Sequence, residues 1–273
     1  MKIALFQMRS GIDPAQNTAA LVAAVQSARK NGAVMLFTPE MSGLLDRDRA
    51  RASAHIHPEQ GHPVLTAVQA AAREAGIWVH LGSLALQGQD RSVNRGFVIT
   101  PEGEICARYD KLHLFDVDLP TGESWRESAA YQPGKESIIA STPIGKLGLS
   151  ICYDLRFPAL YQALSAAGAD ILAVPAAFTV PTGEAHWHVL LRARAIENAC
   201  WVVAAAQTGQ HDDGRETYGH SLVIDPWGRV VLDMGVSEGL GYADIDPAIL
   251  PDVRARVPVL AHRRAIPIVR VVS

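Results

Sequence analysis

The chain has 273 residues, of which 48% are hydrophobic and 19% are charged, and its formal net charge is −3 at pH 7. This length and apolar content are enough to build a large core, so one domain spanning residues 1–273 is expected. Lysine and arginine are scattered along the chain. The composition therefore argues against a nucleic-acid partner or an anionic membrane surface and favours a small soluble ligand.

The cysteines and the apolar runs bear on the compartment in which the protein works. Three cysteines occur, and none has the Cys-x-x-Cys spacing of a zinc or redox motif. Neither a disulfide framework nor a structural zinc ion is predicted, and a reducing cytoplasm fits best. The apolar start, residues 1–8, is too short for a secretory signal, and no apolar run is long enough to span a bilayer.

The first half of the chain predicts strands that alternate with helices. Asp13-Pro14-Ala15-Gln16 supplies an N-cap, a first-turn proline and a capping-box glutamine for the first helix. Pro101-Glu102-Gly103 separates two strand-like runs and predicts a hairpin turn. The predicted strands are 2–8, 33–37, 77–82, 92–99 and 104–109, and the predicted helices are 14–31 and 63–75.

The second half predicts further strands, together with longer loops. Residues 116–137 are expected to form a long irregular loop, because prolines and glycines, Pro120 among them, break any period. Residues 176–183 predict a small-residue loop that lines a cleft. The tail, 247–273, predicts a short helix and an extended end that reaches a neighbouring subunit. Strands are predicted at 147–151, 169–175, 200–207, 218–225, 228–232 and 239–245, and helices at 158–167 and 184–198.

This order of elements predicts an α/β fold in which helices cover a mixed sheet. Cys152 is the first candidate for chemistry within it. The cysteine ends the apolar run 147–151, and Pro158 suits the first turn of the next helix, so a strand-to-helix turn is predicted. A helix start there would favour the thiolate. A buried cysteine is more often a small hydrophobe, but the polar neighbours Asp154 and Arg156 favour a reactive one.

Two further polar residues follow predicted strands. Glu40 comes after strand 33–37, which Thr38-Pro39 ends, and Lys111 ends the second hairpin strand. Ligand sites in α/β sheets lie beyond the carboxyl ends of strands, so Glu40, Lys111 and Cys152 are expected to meet. A thiol nucleophile, a carboxylate that moves its proton and an ammonium that stabilises an oxyanion predict a cysteine hydrolase or transferase acting on a carbonyl.

No metal and no cofactor are predicted for this site. The sequence His186-Trp187-His188 suggests metal ligands, but residues two apart on the predicted helix 184–198 point in different directions. Packing or a pocket wall is the expected role of these histidines.

The three candidates lie in motifs that resemble the nitrilase superfamily of carbon–nitrogen hydrolases. The motifs are Phe37-Thr38-Pro39-Glu40, Tyr109-Asp110-Lys111-Leu112-His113 and Ser150-Ile151-Cys152-Tyr153-Asp154-Leu155-Arg156-Phe157-Pro158. The resemblance covers essentially the whole chain. It implies a four-layer α-β-β-α sandwich and a homodimer that pairs through its helical layer.

The resemblance also implies a role for each site residue. Cys152 would be the nucleophile, Glu40 the general base and acid, and Lys111 the group that stabilises the tetrahedral intermediate. Glu127 matches the second glutamate of the family, which positions the lysine or the substrate. The backbone N–H of Tyr153 is expected to be a further donor to the oxyanion.

Within the superfamily the chain most resembles the deaminated glutathione amidase branch, and the neighbouring ω-amidase branch shares much of the pattern. His188 departs from both branches, which usually carry glutamate at this position. The segments that carry the likeness are 175–179, 182–188, 191–197, 204–207, 218–221 and 225–228.

These motifs predict an amidase that hydrolyses deaminated glutathione to 2-oxoglutarate and cysteinylglycine through a thioester acyl-enzyme. ω-Amidase activity on 2-oxoglutaramate, which has the same acyl half, is the alternative among enzymes. A catalytically silent binding module on the same fold is the alternative outside enzymes, although such a module would need none of the three residues.

Arg156 is expected to hold the carboxylate of the 2-oxo acid, because a guanidinium can donate two parallel hydrogen bonds. Its alternative role is a structural pair with Asp154. Phe178 and Thr182, in the predicted loop, would flank the acyl chain and bond its polar end.

Overall fold

A computed structural model describes residues 1–118, 122 and 124–272. The strands of the first half are β1 (Lys2–Gln7), β2 (Met35–Phe37), β3 (Trp78–Leu86), β4 (Val93–Ile99), β5 (Ile105–Asp110), β6 (Asp116–Asp118) and β7 (Ser124–Arg126). Those of the second half are β8 (Ile139–Thr142), β9 (Gly145–Leu149), β10 (Ile171–Ala173), β11 (Trp201–Ala204), β12 (Thr208–Gln210), β13 (Glu216–Tyr218), β14 (Leu222–Ile224), β15 (Val230–Asp233) and β16 (Gly239–Asp244).

The α-helices are α1 (Pro14–Lys30), α2 (Arg49–Ser53), α3 (Pro63–Ala75), α4 (Pro158–Ala166), α5 (Val180–Asn198) and α6 (Ile249–Arg256). Short 3₁₀ turns occupy Glu127–Ala129 and Cys152–Arg156. Asp13 caps α1 by accepting a hydrogen bond from the N–H of Ala15, as its sequence predicts. No helix of the described residues is both long and apolar enough to cross a membrane.

Two six-stranded sheets lie at the centre of the molecule. The first has the order β16-β1-β2-β3-β4-β5 and the second has the order β15-β14-β11-β10-β9-β8. Strands β1, β2 and β3 run parallel, as do β9, β10 and β11, and the other neighbours in both sheets are antiparallel. The sheets are therefore mixed, as predicted.

Alternate residues of the first sheet pack on opposite sides. Ile3 and Leu5 share a core with the second sheet, whereas Ala4 shares a core with α1 and α3. On the far side of the second sheet, Trp187 and Leu191 of α5 are fully buried in the core. The layers are thus helices, sheet, sheet and helices, which confirms the predicted α-β-β-α sandwich.

Two predicted loop boundaries are wrong. Helix α5 begins at Val180, so Thr182 lies in its first turn and not in a loop, because Thr179 is extended and Pro181 suits a first helical turn. Within the segment predicted as a loop at 116–137, β6 and β7 pair antiparallel. Pro120, on which that prediction partly rested, lies outside the described residues.

The predicted strand 218–225 is also divided in the structure. Its first residue belongs to β13 and its later residues form β14. Gly219 and His220 between them have φ angles of 75° and 53°, a left-handed conformation that interrupts a strand. This turn moves the chain from a two-stranded ribbon into the second sheet.

Candidate active site

The candidate residues lie where strands of both sheets end. Glu40 follows β2, Lys111 directly follows β5, and Cys152 follows β9. Strand β5 runs in the same direction as β2, because β3-β4 and β4-β5 are both antiparallel while β2-β3 is parallel. All three side chains line one cavity of about 780 Å³.

Gly82 in β3 allows the two sheets to approach each other beside this cavity. A Cβ atom here would overlap the carbonyl oxygens of Thr38 and Pro39 and would lie 2.6 Å from Cβ of Pro175. Only glycine leaves room for this approach. The backbone N–H of Cys152 donates to the carbonyl oxygen of Pro175 at 2.9 Å, so the same contact region fixes the backbone of Cys152.

A buried ionic cluster forms the floor of the site. Lys111 Nζ donates to Glu40 Oε1 at 2.8 Å and to Glu127 Oε2 at 2.9 Å. Glu127 Oε2 also accepts from the backbone N–H of Phe115 at 2.6 Å. Lys111 is 3% exposed and Glu40 is 5% exposed, so these charges are screened very little by water.

Sequence reasoning missed Asn94, which completes the cluster. Its side-chain nitrogen donates to Glu40 Oε1 at 2.9 Å, and its backbone carbonyl oxygen accepts from the N–H of Lys111 at 2.9 Å. Asn94 lies in β4 and is 1% exposed. A polar residue in a predicted strand, opposite the strand end that carries Lys111, is the signal that could have found it.

Glu40 has a second set of contacts on its other oxygen. Oε2 accepts from the backbone N–H of Ala177 at 3.1 Å, and the backbone carbonyl of Glu40 accepts from Gln207 Nε2 at 3.0 Å. The first bond ties the carboxylate to the segment after β10, and the second ties the backbone of Glu40 to the segment after β11; both strands belong to the second sheet. The carboxylate is therefore held from both sheets.

The charges of the cluster set the protonation of the thiol. Burial raises the pKa of Cys152 well above its ordinary value, the Glu40 charge raises it further, and Lys111 opposes this only in part. Burial by itself lowers the pKa of Lys111, but Glu127 and Glu40 outweigh it, and the pKa of Lys111 lies well above its ordinary value. The expectation that a helix start would favour the thiolate is not met, because burial and Glu40 favour the neutral thiol beside a charged lysine.

The turn that carries Cys152 explains why a helix start does not lower the pKa of the thiol to its ordinary value or below. Cys152 has a φ angle of 49° and begins a 3₁₀ turn of only five residues. So short a helix has a small dipole, and its effect is weaker than that of burial and Glu40. The strained φ angle is of the kind that persists at functional sites.

Asp154 holds this turn and is not available to Arg156. Its carboxylate is fully buried and accepts from the N–H of Ile151 at 2.9 Å, from Tyr109 Oη at 2.7 Å and from the N–H of His113 at 3.0 Å. The alternative expectation of a structural pair between Arg156 and Asp154 is therefore not met in the structure.

Arg156 instead faces the cavity. Its guanidinium carbon lies 5.4 Å from the ring centre of Phe178 and 5.9 Å from that of Tyr153, and Nη1 lies 3.3 Å from His186 Nδ1. Cation–π contacts with two aromatic rings and the contact with His186 orient this guanidinium in the cavity.

All eight residues predicted for the site line this cavity, including Glu127, Phe178 and Thr182. Thr182 Oγ1 lies 2.9 Å from Thr179 Oγ1, so its hydroxyl already has a partner at the N-cap residue of α5. Sequence reasoning did not assign the arginines of the lining, which are Arg47, Arg49, Arg126 and Arg215.

The other two thiols lie outside the cavity lining. Cys200 Sγ lies 3.1 Å from the carbonyl oxygens of Ala169 and Asn198, and burial raises its pKa to about 11. Cys106 is exposed. Both are apart from the ionic cluster that surrounds Cys152.

The sequence profile described as carbon–nitrogen hydrolase matches residues 2–255. The chain belongs to the carbon–nitrogen hydrolase family. This carbon–nitrogen hydrolase is 40% identical to the deaminated glutathione amidase of Yersinia enterocolitica, over 96% of this chain and 92% of that protein. It is 43% identical to the deaminated glutathione amidase of Homo sapiens, over 96% of this chain and 82% of that protein.

Its fold also matches solved structures. The crystal structure of the C. elegans NitFhit protein superposes with a TM-score of 0.89 at 39% identity. The match covers 96% of this hydrolase and 65% of the NitFhit chain.

Proposed function

We propose that this hydrolase cleaves the γ-type amide of deaminated glutathione and releases 2-oxoglutarate and cysteinylglycine. The observation that carries the proposal is a single cavity that holds a buried thiol, a carboxylate bonded to an ammonium, and an oriented guanidinium. The two relatives described above, both named deaminated glutathione amidase, support this choice of substrate.

Acylation begins with the neutral thiol of Cys152. Glu40 accepts the thiol proton as the sulfur attacks the amide carbon, and the carbonyl oxygen becomes an oxyanion. Lys111 and the backbone N–H of Tyr153 stabilise that oxyanion; Tyr153 is in the first 3₁₀ turn, where N–H groups lack helical partners. Glu40 then returns the proton to the amide nitrogen, the carbon–nitrogen bond breaks and the amine leaves.

Deacylation uses the same groups on the thioester. Glu40 takes a proton from water, the hydroxide attacks the thioester carbon, and Lys111 stabilises the second oxyanion. The carbon–sulfur bond breaks, Cys152 regains a proton from Glu40 and the acid is released. In this scheme Glu127 is a positioning residue, because its two oxygens hold Lys111 Nζ at 3.1 and 2.9 Å.

The substrate carries a carboxylate at each end, and the cavity has guanidiniums suited to both. We assign the carboxylate of the 2-oxo acid to Arg156, which lies four residues from Cys152, with Phe178 beside the acyl chain. The exposed side chain of Arg47 is available to the carboxylate of the leaving group. Arg49 also lines the cavity, with its Nη2 donating to the carbonyl oxygen of Arg126 at 2.7 Å.

The size of the cavity favours this substrate over 2-oxoglutaramate. Its volume of about 780 Å³ lies within the range of roughly 300–1,000 Å³ that holds drug-sized ligands. 2-Oxoglutaramate has the same acyl half, but its leaving group is ammonia and would leave much of this space unfilled.

We further propose that the protein is a cytoplasmic homodimer. Helix α5 exposes Val189 and Ile196 along one face, and Trp227 in the turn before β15 adds to this apolar surface. The three cysteines are free thiols, which suits a reducing compartment.

Steady-state kinetics with deaminated glutathione and 2-oxoglutaramate test the substrate. We expect a larger kcat/KM for deaminated glutathione and a transient mass increase of one 2-oxoglutaryl group on the wild-type protein. Cys152→Ala should show no adduct and lose at least a thousandfold in rate, about 4 kcal/mol of transition-state stabilisation. A protein that binds either compound but never gains covalent mass would be a binding module.

Arg156→Lys separates the substrate assignment from the chemistry. Lysine keeps the charge but loses the fork, so KM should rise for 2-oxo acid amides much more than for butyramide. An equal rise in KM for both substrates would mean that another residue binds the carboxylate. The role proposed for Cys152 would be unaffected.

A further inference from the structure

Outside the active-site cavity, two histidines and an aspartate form a separate cluster. His188 Nε2 lies 3.0 Å from Asp233 Oδ2, and His220 Nδ1 lies 2.8 Å from Asp233 Oδ1. One potential ligand atom from each residue lies within 4.8 Å of the others. None of the three residues lines the cavity that holds Cys152.

The three residues come from different elements, and each is fixed in place. His188 lies in α5, His220 lies in the turn between β13 and β14, and Asp233 ends β15. The carbonyl of His220 accepts from Trp187 Nε1 at 2.8 Å, and Asp233 Oδ1 accepts from the N–H of Gly235 at 2.9 Å. His220 also has a φ angle of 53°, a strained conformation that aims its ring at the aspartate.

Two imidazoles and a carboxylate are a donor set that suits zinc and its neighbours in the first transition series. In a tetrahedral site with bonds of about 2.1 Å the ligand atoms lie roughly 3.4 Å apart. The three candidate ligand atoms already lie within 4.8 Å of one another, so small movements of the side chains are enough to bind an ion. We propose that His188, His220 and Asp233 form a binding site for a divalent transition-metal ion.

The site is open on one side. The side chains of His188, His220 and Asp233 are 32%, 24% and 35% exposed, so an ion can enter from solvent and keep water in the remaining position. The ring of Tyr218 stacks on that of His220 at 4.5 Å and covers one face of the cluster. Three protein ligands and an open position make an exchangeable site rather than a closed structural one.

A bound ion would clamp α5 to the β15 end of the second sheet. At present, the ring nitrogens donate to Asp233. Binding places the ion on His188 Nε2 and His220 Nδ1, so each imidazole must be neutral with its proton on the other nitrogen. Because a folded protein binds the ion and an unfolded one does not, the ion should raise the temperature of unfolding.

Titration of the metal-free full chain with ZnCl₂ tests the proposal, with Cys152→Ala as the background so that the active-site thiol cannot bind zinc. We expect one ion per chain and a higher unfolding temperature. His188→Gln, His220→Gln and Asp233→Asn should each weaken binding by at least about tenfold. His186→Gln is the matched control, because His186 is on the same helix but contacts Arg156, and it should bind zinc normally.

The ¹⁵N chemical shifts of the imidazoles distinguish metal binding from a purely structural hydrogen bond, because zinc would change them only by binding to the rings. Zinc should shift Nε2 of His188 and Nδ1 of His220, and this measurement stands even if one of the variants fails to fold. The proposal is overturned if the background protein binds no zinc, if the three variants bind it as tightly as that protein does, or if the zinc-induced shifts fall on histidines other than His188 and His220.

Discussion

The surroundings of Cys152 raise the pKa of its thiol and so favour the uncharged form. Burial is the larger cause, and the negative charge of Glu40 adds to it, while Lys111 acts in the opposite direction. A neutral thiol is a weak nucleophile, so the attack requires a group that accepts its proton. In the proposed mechanism Glu40 both raises the pKa of the thiol and accepts its proton.

Removal of the Glu40 charge should therefore change the titration of Cys152. Because Glu40 raises the pKa of the thiol, Glu40→Gln should lower that pKa, although burial still keeps it above the ordinary value. The pH midpoint for alkylation of Cys152 by iodoacetamide, followed by peptide mass mapping, should move down relative to the wild type. The midpoint of the exposed Cys106 should stay constant in the same samples.

An alkylation midpoint that stays constant or rises in Glu40→Gln would contradict this account. It would mean that the Glu40 charge does not govern the thiol in the folded protein.

The two glutamates should differ in their effect on turnover. Glu40→Gln removes the base and should lower kcat/KM by roughly a hundredfold or more. Glu127→Gln should cost less, since it leaves the base in place and one side-chain oxygen still able to accept from Lys111. Single-turnover and steady-state rates of both variants make the comparison, and equal losses would show that their roles are not separate.

Helix α5 serves several parts of the molecule because its faces point in different directions. Trp187 packs on Phe178 at a ring distance of 4.7 Å, His188 bonds to Asp233, and Val189 is 68% exposed. Consecutive residues are about 100° apart around a helix, so three neighbours reach a pocket wall, a polar cluster and the surface. The same geometry explains why His186 and His188 have different partners.

The first turn of α5 should tolerate no added atom at Gly183. An added Cβ would overlap Cβ and Cγ of Tyr218, which are close to the backbone and move little. Gly183→Ala should therefore destabilise the protein by about 1–3 kcal/mol, despite the usual helix preference for alanine. Thermal unfolding measures this loss.

Tyr218→Gly is the matched background for that test, because it removes both the Cβ and the ring that the added methyl group would meet. Gly183→Ala should cost less stability there than in the wild type. A higher unfolding temperature for Gly183→Ala alone would show that α5 and β13 are not so close.

The candidate active site lies between the two sheets, and the outer helical layer that contains α5 exposes several apolar side chains. On that layer Ile196, seven residues beyond Val189 on α5, is 49% exposed. Trp227, in the turn before β15, is also 49% exposed. Past α6, the tail exposes Ile266 and Ile268 as well. The proposed dimer would bury this apolar surface.

A charge on this surface should separate the proposed dimer. Val189→Glu puts a carboxylate into the apolar face, and the molar mass measured by light scattering should fall from that of two chains to that of one. Ala19→Glu is the control, since Ala19 is exposed on α1 in the opposite helical layer and should leave the mass unchanged. A wild-type protein with the mass of one chain would refute the dimer.

Local patterns were enough to place the main elements and the three central residues. Glu40, Lys111 and Cys152 each follow a strand whose apolar run and end are visible within a few neighbouring residues. The helix α3 matches its prediction because Pro63 starts it and Gly76, in a left-handed conformation, ends it. Such signals come from residues that are adjacent in the chain, so they can be read from the sequence without knowledge of the packing.

The tertiary structure decided what depends on distant neighbours. Asn94 reaches Glu40 across 54 positions of sequence, and His188 reaches Asp233 across 45, so no local pattern reveals either contact. The protonation of Cys152 was decided in the same way, since burial and a charge from another sheet outweighed the short turn on which the thiolate prediction rested. Hydrogen bonds, desolvation and Coulomb interactions depend on which residues lie close together in space. The fold decides this, so these effects cannot be read from neighbouring residues in the sequence.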